Sequence, residues 1–233
     1  MNKFLLPTLL LSATALSILP NQAQSVKKTP IQQTFSWTII SQVLFGKKPP
    51  IQPRKGGSRD PVSICMVSPD APIQGRIVWS DRPVFIWKGS VQKIAVRLVG
   101  SEEDIWSQSV GGIQSTNYTG EALQPGQRYD WLVFYGKSPN KFVSFQVMDA
   151  QQRDRITTQL RTLEKRLKAK GVNSEAIATA KANFFADRQL WSDVLQQAYS
   201  VEKPSPELDR IRKDIPDQLC NQEQTVGSNS PSR

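Results

Sequence analysis

The chain has 233 residues, a net charge of +10 and no histidine. Without imidazole it lacks the commonest general base near neutral pH and the commonest metal ligand, which excludes serine–histidine–carboxylate and cysteine–histidine catalysis. Two cysteines, Cys65 and Cys220, are too few for a four-cysteine zinc site or an iron–sulfur cluster of the usual ligation.

The chain opens with Lys3 and a largely apolar run over residues 4–19. That pattern is the charged start and apolar centre of a signal peptide, and the small residues around Ala23 and Ser25 offer a cleavage site, so residues 1–25 are expected to be removed on export. No later stretch is apolar for the roughly 20 residues a transmembrane helix needs. The remainder is therefore expected to be soluble outside the cytoplasm: periplasmic, secreted or peripherally attached to the envelope. In an oxidising compartment Cys65 and Cys220 could pair, joining the start of the folded region to its end; the alternative is two separate buried thiols.

Residues 26–62 carry Lys27, Lys28, Lys47, Lys48, Arg54, Lys55 and Arg59 against Asp60 alone, so most of the excess charge lies here. The segment "GKKPPIQPRKGGSRDP" is rich in proline, glycine and charge, and reads as a disordered basic arm. Charge gathered on such a tether suits adhesion to an anionic surface, with Lys47, Lys48, Arg54, Lys55 and Arg59 as the candidate contacts. Export argues against nucleic acid as the partner. Inside the arm, "FSWTIISQVLF" places Trp37, Ile40 and Leu44 at helical spacing just before two lysines. It could lie on a membrane surface as an amphipathic helix, or be a poorly ordered pro-segment, or a strand packed on the following domain.

From residue 63 to 148 the rhythm is that of an all-β domain: short alternating runs broken by turn residues. Val84, Phe85, Ile86 and Trp87 form a dense strand ended by Gly89. Ile94, Val96 and Leu98 alternate with Lys93, Ala95 and Arg97, predicting one buried and one wet face. Glu102, Glu103 and Asp104 read as a solvated turn into the next strand, and a further short strand is expected near 116–119. In "LQPGQRYDWLVFY", Pro125 and Gly126 supply a tight turn. Tyr129, Trp131, Val133 and Tyr135 then share one face of a central strand, and a last strand covers 142–148. Trp87, Tyr129 and Trp131 are assigned structural, core-filling roles. A tyrosine just after such a turn resembles the tyrosine corner of immunoglobulin-like and fibronectin type III sandwiches, which implies about seven strands in two sheets.

Past Asp149 the period changes to nearly four, over an α-helical region expected at 149–220. Ile156, Leu160, Leu163 and Leu167 form one stripe that Gly171 ends. Ser174 is placed to cap a second helix over 175–185. A third is expected over 188–199 with Trp191 inward, and a fourth from Pro206 to Ile215, stopped by Pro216. The stretch "ANFFADRQLWSDVLQQAY" is similar to half of a tetratricopeptide-type helical pair. Residues 221–233 read as a disordered tail. The fold class is thus a β-sandwich followed by helices, α+β overall with the two kinds segregated.

Taken in order, the signal peptide, the basic glycine-containing linker, Cys65, "SDRPVFIWKG", "LQPGQRYDW" and "LWSDVLQQ" resemble the exported cyanobacterial proteins of the domain of unknown function 928 family over about residues 55–215. The resemblance implies compartment and architecture and no assigned activity. No phosphate loop, dinucleotide fingerprint or nucleophile elbow occurs. The expected function is a binding or interaction module of the envelope without cofactor or metal, its partner a protein, an anionic polymer or a lipid surface. A carboxylate-dependent polysaccharide hydrolase and a chaperone-like or regulatory partner of another exported protein are the alternatives.

Overall fold

The computed structural model describes residues 36–45, 64–70, 76–136 and 138–227, all within one compact unit, Thr34–Arg233. The elements run α1 (Trp37–Phe45), β1 (Cys65–Ser68), β2 (Ile77–Val78), β3 (Val84–Lys88), β4 (Lys93–Leu98), β5 (Asp104–Ser109), β6 (Ser115–Asn117), β7 (Arg128–Phe134), β8 (Pro139–Val147), α2 (Ala150–Ala169), α3 (Ser174–Ala186), α4 (Trp191–Tyr199) and α5 (Pro206–Gly227). The arrangement is α+β, with the strands first and four of the five described helices after them. The expected signal peptide, residues 46–62 and the last six residues of the expected tail lie outside the described residues.

The strands form two sheets, one ordered β1-β3-β6 and the other β2-β8-β7-β4-β5. All described pairings are antiparallel except β2 with β8, which is parallel. The inner faces meet in one core where Phe85 and Trp87 of the small sheet touch Trp131 of the large one, at ring-centroid distances of 5.0 and 6.5 Å. β3 is buried on both sides. Its even-numbered Val84 and Ile86 point the other way and join Val67 in a second core built mainly by the helices. A strand covered on both faces reads as a continuous apolar run, as "VFIW" does. The molecule is therefore layered, with helices on the small sheet and the small sheet on the large.

Several expectations shift. β7 is interior to its sheet, as its two apolar faces predicted, but Tyr135 falls beyond it and is exposed. In β4 Ala95, assigned to the wet face, is fully buried, because it clusters with Leu132 and Phe134 on the outer side of the large sheet. Leu98, assigned to the core, closes the strand and is exposed. Asp104 is a strand residue, not part of a solvated turn: it opens β5 and pairs with Arg97 and Lys93.

Among the helices, α2 is capped by Asp149, whose side chain accepts from Gln152 N at 2.9 Å, and Gly171 follows its end at φ +69°. The cap of α3 is Asn173 rather than Ser174; its amide oxygen accepts from Ala176 N at 2.8 Å. α4 begins at Trp191 and not at 188, since Arg188 and Gln189 form the reversal from α3, with Gln189 at φ +59°. α5 runs straight through Pro216 to Gly227, overturning both the expected stop and the start of a tail at 221. Residues 36–45, assigned to a disordered arm, include the helix α1, which packs on α3 and α5 with Trp37 and Ile40 buried.

Candidate functional site

The helices and sheets are joined through the segment between β2 and β3. Trp79 N and Ser80 N donate to the two carboxylate oxygens of Asp193, in the first turn of α4, at 2.8 and 3.0 Å. Arg153 of α2 donates to Trp79 O at 3.0 Å and pairs with Asp81 at 2.6 Å, while Gln196 donates to Arg82 O at 3.0 Å. Asp193 is 1 % exposed. Burial raises its carboxyl to about 7, against the downward pull of the two amides and Arg153. With Asp193 bonded by the protein's own backbone, this joint positions the helices.

A concavity lies among the described helices. A cleft of about 570 Å³ opens between the end of α2, one side of α3 and the segment following α4. Ile177, Ala178 and Val201 make its apolar floor. Lys168 reaches it from α2, Lys181 from α3 and Lys203 from beyond α4, with Ser174, Ser200 and Gln197 adding neutral polar groups. The volume falls in the range of small-molecule sites, which typically combine apolar lining with a few convergent polar groups.

Glu164 sets the electrostatics. Its two oxygens bind Lys168 Nζ at 2.7 Å and Lys181 Nζ at 2.6 Å. Those hydrogen bonds, from Lys168 first and Lys181 second, outweigh burial and hold its carboxyl down to about 2. One carboxylate thus keeps two ammonium groups together that would otherwise repel, and a ligand anion can take over part of that role. Glu202 is the second carboxylate on the lining. Among the described residues, no three His, Cys, Asp or Glu side chains gather as a metal ion would need.

Of the residues singled out in the sequence, Cys65 and Cys220 form a disulfide across 155 positions, tying β1 to α5. Tyr129 Oη accepts from Gln124 N at 2.9 Å, just upstream of its strand. Trp87 and Trp131 lie in the inter-sheet core and Trp191 in the helical one. Lys47, Lys48, Arg54, Lys55 and Arg59 lie outside the described residues. Glu102 and Glu103 are exposed, and Asp104 is spent on its ion pairs: hydrogen bonds from Arg97 and Lys93 overcome burial and lower its pKa. The cleft was missed, because its lysines come from three separate segments. The one local signal was the i, i+4 spacing of Glu164 and Lys168.

Among the described residues no helix is long and apolar enough to cross a membrane. No family model matches the chain, and no curated protein is significantly similar to it.

Proposed function

We propose that this protein is an exported, non-catalytic binding module that takes an anionic ligand of the cell envelope in the cleft between α2, α3 and α4. The observation that carries the reading is a lining on which Lys168, Lys181 and Lys203 outnumber Glu164 and Glu202 beside the apolar Ile177, Ala178 and Val201. The disulfide supports export, since such bonds persist in oxidising compartments. In this reading Lys47, Lys48, Arg54, Lys55 and Arg59 add a second, surface-directed attraction.

The sheet orders β1-β3-β6 and β2-β8-β7-β4-β5, antiparallel apart from the β2 edge, support an immunoglobulin or fibronectin III type sandwich of two sheets packed face to face. The bond from Gln124 N to Tyr129 is what a tyrosine corner at the start of strand F supplies. Tyr129→Phe should then cost about 1 kcal/mol of stability, the usual worth of one hydrogen bond; a urea midpoint equal to wild type would remove that support. The likeness to the domain of unknown function 928 family is retained as a proposal on the motifs already quoted.

Binding is tested by titrating the exported protein with anionic envelope polysaccharide at low and physiological salt. Lys168→Ala/Lys181→Ala should weaken binding at least tenfold and flatten its salt dependence, while Glu164→Gln, which frees both lysines, should tighten it. Equal affinities for all three proteins would refute the cleft as the site. A hydrolase reading has Glu164 and Glu202 on the same lining; Glu164, held ionised by its two lysines, is unsuited to be the general acid of such a pair.

A further inference from the structure

α1 differs from the other helices in what makes it helical. Isolated helices shorter than about 12 to 15 residues are marginal in water, so the nine residues of α1 owe their conformation to the surface they sit on. That surface belongs to α3 and α5. Trp37 and Ile40, three positions apart and hence on one face, are 3 % and 2 % exposed and enter the helical core.

The first turn is gripped by Glu207. Its Oε1 accepts from Ser36 Oγ at 3.3 Å, Thr38 N at 3.2 Å and Thr38 Oγ1 at 2.5 Å. Glu207 also stands in the first turn of α5, so its charge lies at the positive ends of two helices. The hydrogen bond from the Thr38 side chain contributes most to holding its carboxyl below the usual range.

The walls of this groove are fixed without α1. Glu175 of α3 accepts from Ser205 N and Oγ, just before α5, at 2.7 and 2.6 Å. Tyr199 donates to Arg212 O at 2.8 Å and locks α4 to α5, and Cys220 ties α5 to β1. Trp37 Nε1 is buried without a hydrogen-bond partner, as are the Nε1 atoms of Trp87 and Trp131 in the inter-sheet core. A buried donor left unpaired is a cost that docking must carry.

We propose that the groove between α3 and α5 is a receptor site for a short amphipathic helix, filled in cis by residues 36–45 and exchangeable for a helix of another protein. The partner helix starts with a hydroxyl cap that Glu207 can hold, follows it with a large apolar residue, and carries an aliphatic one three positions on, as Ser36, Trp37 and Ile40 do. Such helix-in-groove recognition through spaced anchors is a recurrent mode. The cis helix belongs to the same chain as the groove, so its docking is intramolecular and a partner helix must compete with it. The groove therefore stays closed to weak ligands and opens to a partner that binds better. This inference is independent of the lysine-lined cleft.

The probe is a fluorescent peptide of residues 34–46, titrated by anisotropy into full-length protein. Trp37→Ala/Ile40→Ala, which weakens the cis helix, should bind the peptide at least tenfold more tightly than wild type, and adding Glu207→Ala should reverse that gain. In wild type, hydrogen exchange should find the amides of α1 opening well before those of α3 and α5. The proposal is overturned if the double variant keeps its near-ultraviolet signal yet ignores the peptide. It is equally overturned if that variant fails to fold, or if α1 exchanges only with global unfolding, since α1 would then be an inseparable part of the core.

Discussion

Asp193 is a carboxylate removed from water and supplied with two backbone amides in exchange. Removing it leaves Ser80 N buried and Trp79 N half-buried, both without this partner, so Asp193→Ala should cost about 2 to 6 kcal/mol, at roughly 1 to 3 per orphaned group. Its pH dependence has the opposite sign from that of most carboxylates. Burial raises its folded pKa to about 7 from the ordinary 3.8. Between those values the folded protein binds the proton that the unfolded chain has released. The stability it contributes is therefore fully present below about pH 4 and is lost as pH rises through 7. Glu164, held down to about 2, works the other way: its contribution is present above its ordinary 4.5 and is lost as pH falls. Because the two trends overlap, the informative quantity is the difference in urea stability between wild type and Asp193→Asn. That difference should shift against wild type by an amount on the order of a few kcal/mol from pH 4 to 7 and then level off. A flat difference would mean that Asp193 is ionised in the fold.

At the scale of the element, α5 shows how a helix tolerates an internal proline. Pro216 has no N–H, so the carbonyl four residues back, that of Arg212, loses its intrahelical donor. Tyr199 fills the vacancy, donating its hydroxyl to Arg212 O at 2.8 Å. Burial raises that hydroxyl to about 12, so it stays protonated and able to donate. Tyr199→Phe should accordingly cost about 1 to 2 kcal/mol in wild type. In a Pro216→Ala background, where the helix supplies its own N–H, the loss should be smaller; a double-mutant cycle of chemical denaturation measures the coupling, and strict additivity would contradict it. The expectation that α5 stops at residue 215 failed for the same reason: the compensating donor comes from another helix and leaves no trace near Pro216. Boundaries set by local chemistry were more legible. Asp149 marked the change of period, and the cap of α3 was missed by one position because Asn173 and Ser174 are both good caps. α1 shows the limit of periodicity, since the spacing of Trp37 and Ile40 announced a helical face but not the protein surface that it meets.

For the whole molecule, the switch from a two-residue to a near-four-residue rhythm after Met148 foretold the segregated α+β arrangement, because periodicity follows from which faces are buried. The layering was only half legible. The run "VFIW" announced a dense strand, but its cover on both faces, and the helices that supply the second cover, are seen only in the fold. The lysine cleft was illegible for a related reason, since it exists only where α2, α3 and the end of α4 converge. The cysteines are the exception, being two residues of one kind far apart with no other use, and they do pair. Their bridge closes a span of 155 positions and joins the first described strand to the last helix. It also backs the groove that holds α1, because Cys220 lies on the helix that forms one wall. On the chain-entropy estimate, a loop of this size stabilises by about 4 to 5 kcal/mol, by restricting the unfolded state. Each kcal/mol moves the midpoint of a chain this long by roughly 2 to 4 °C. Cys65→Ser/Cys220→Ser should thus melt at least about 8 °C lower than the oxidised protein, and reductant should lower the wild-type midpoint to match while leaving the variant unmoved. Since α5 also rests on the helical core through Leu208, Ile211 and Ile215, the reduced protein should still fold at 25 °C. Oxidised and reduced protein with the same melting temperature would show that the layers hold together without the bridge.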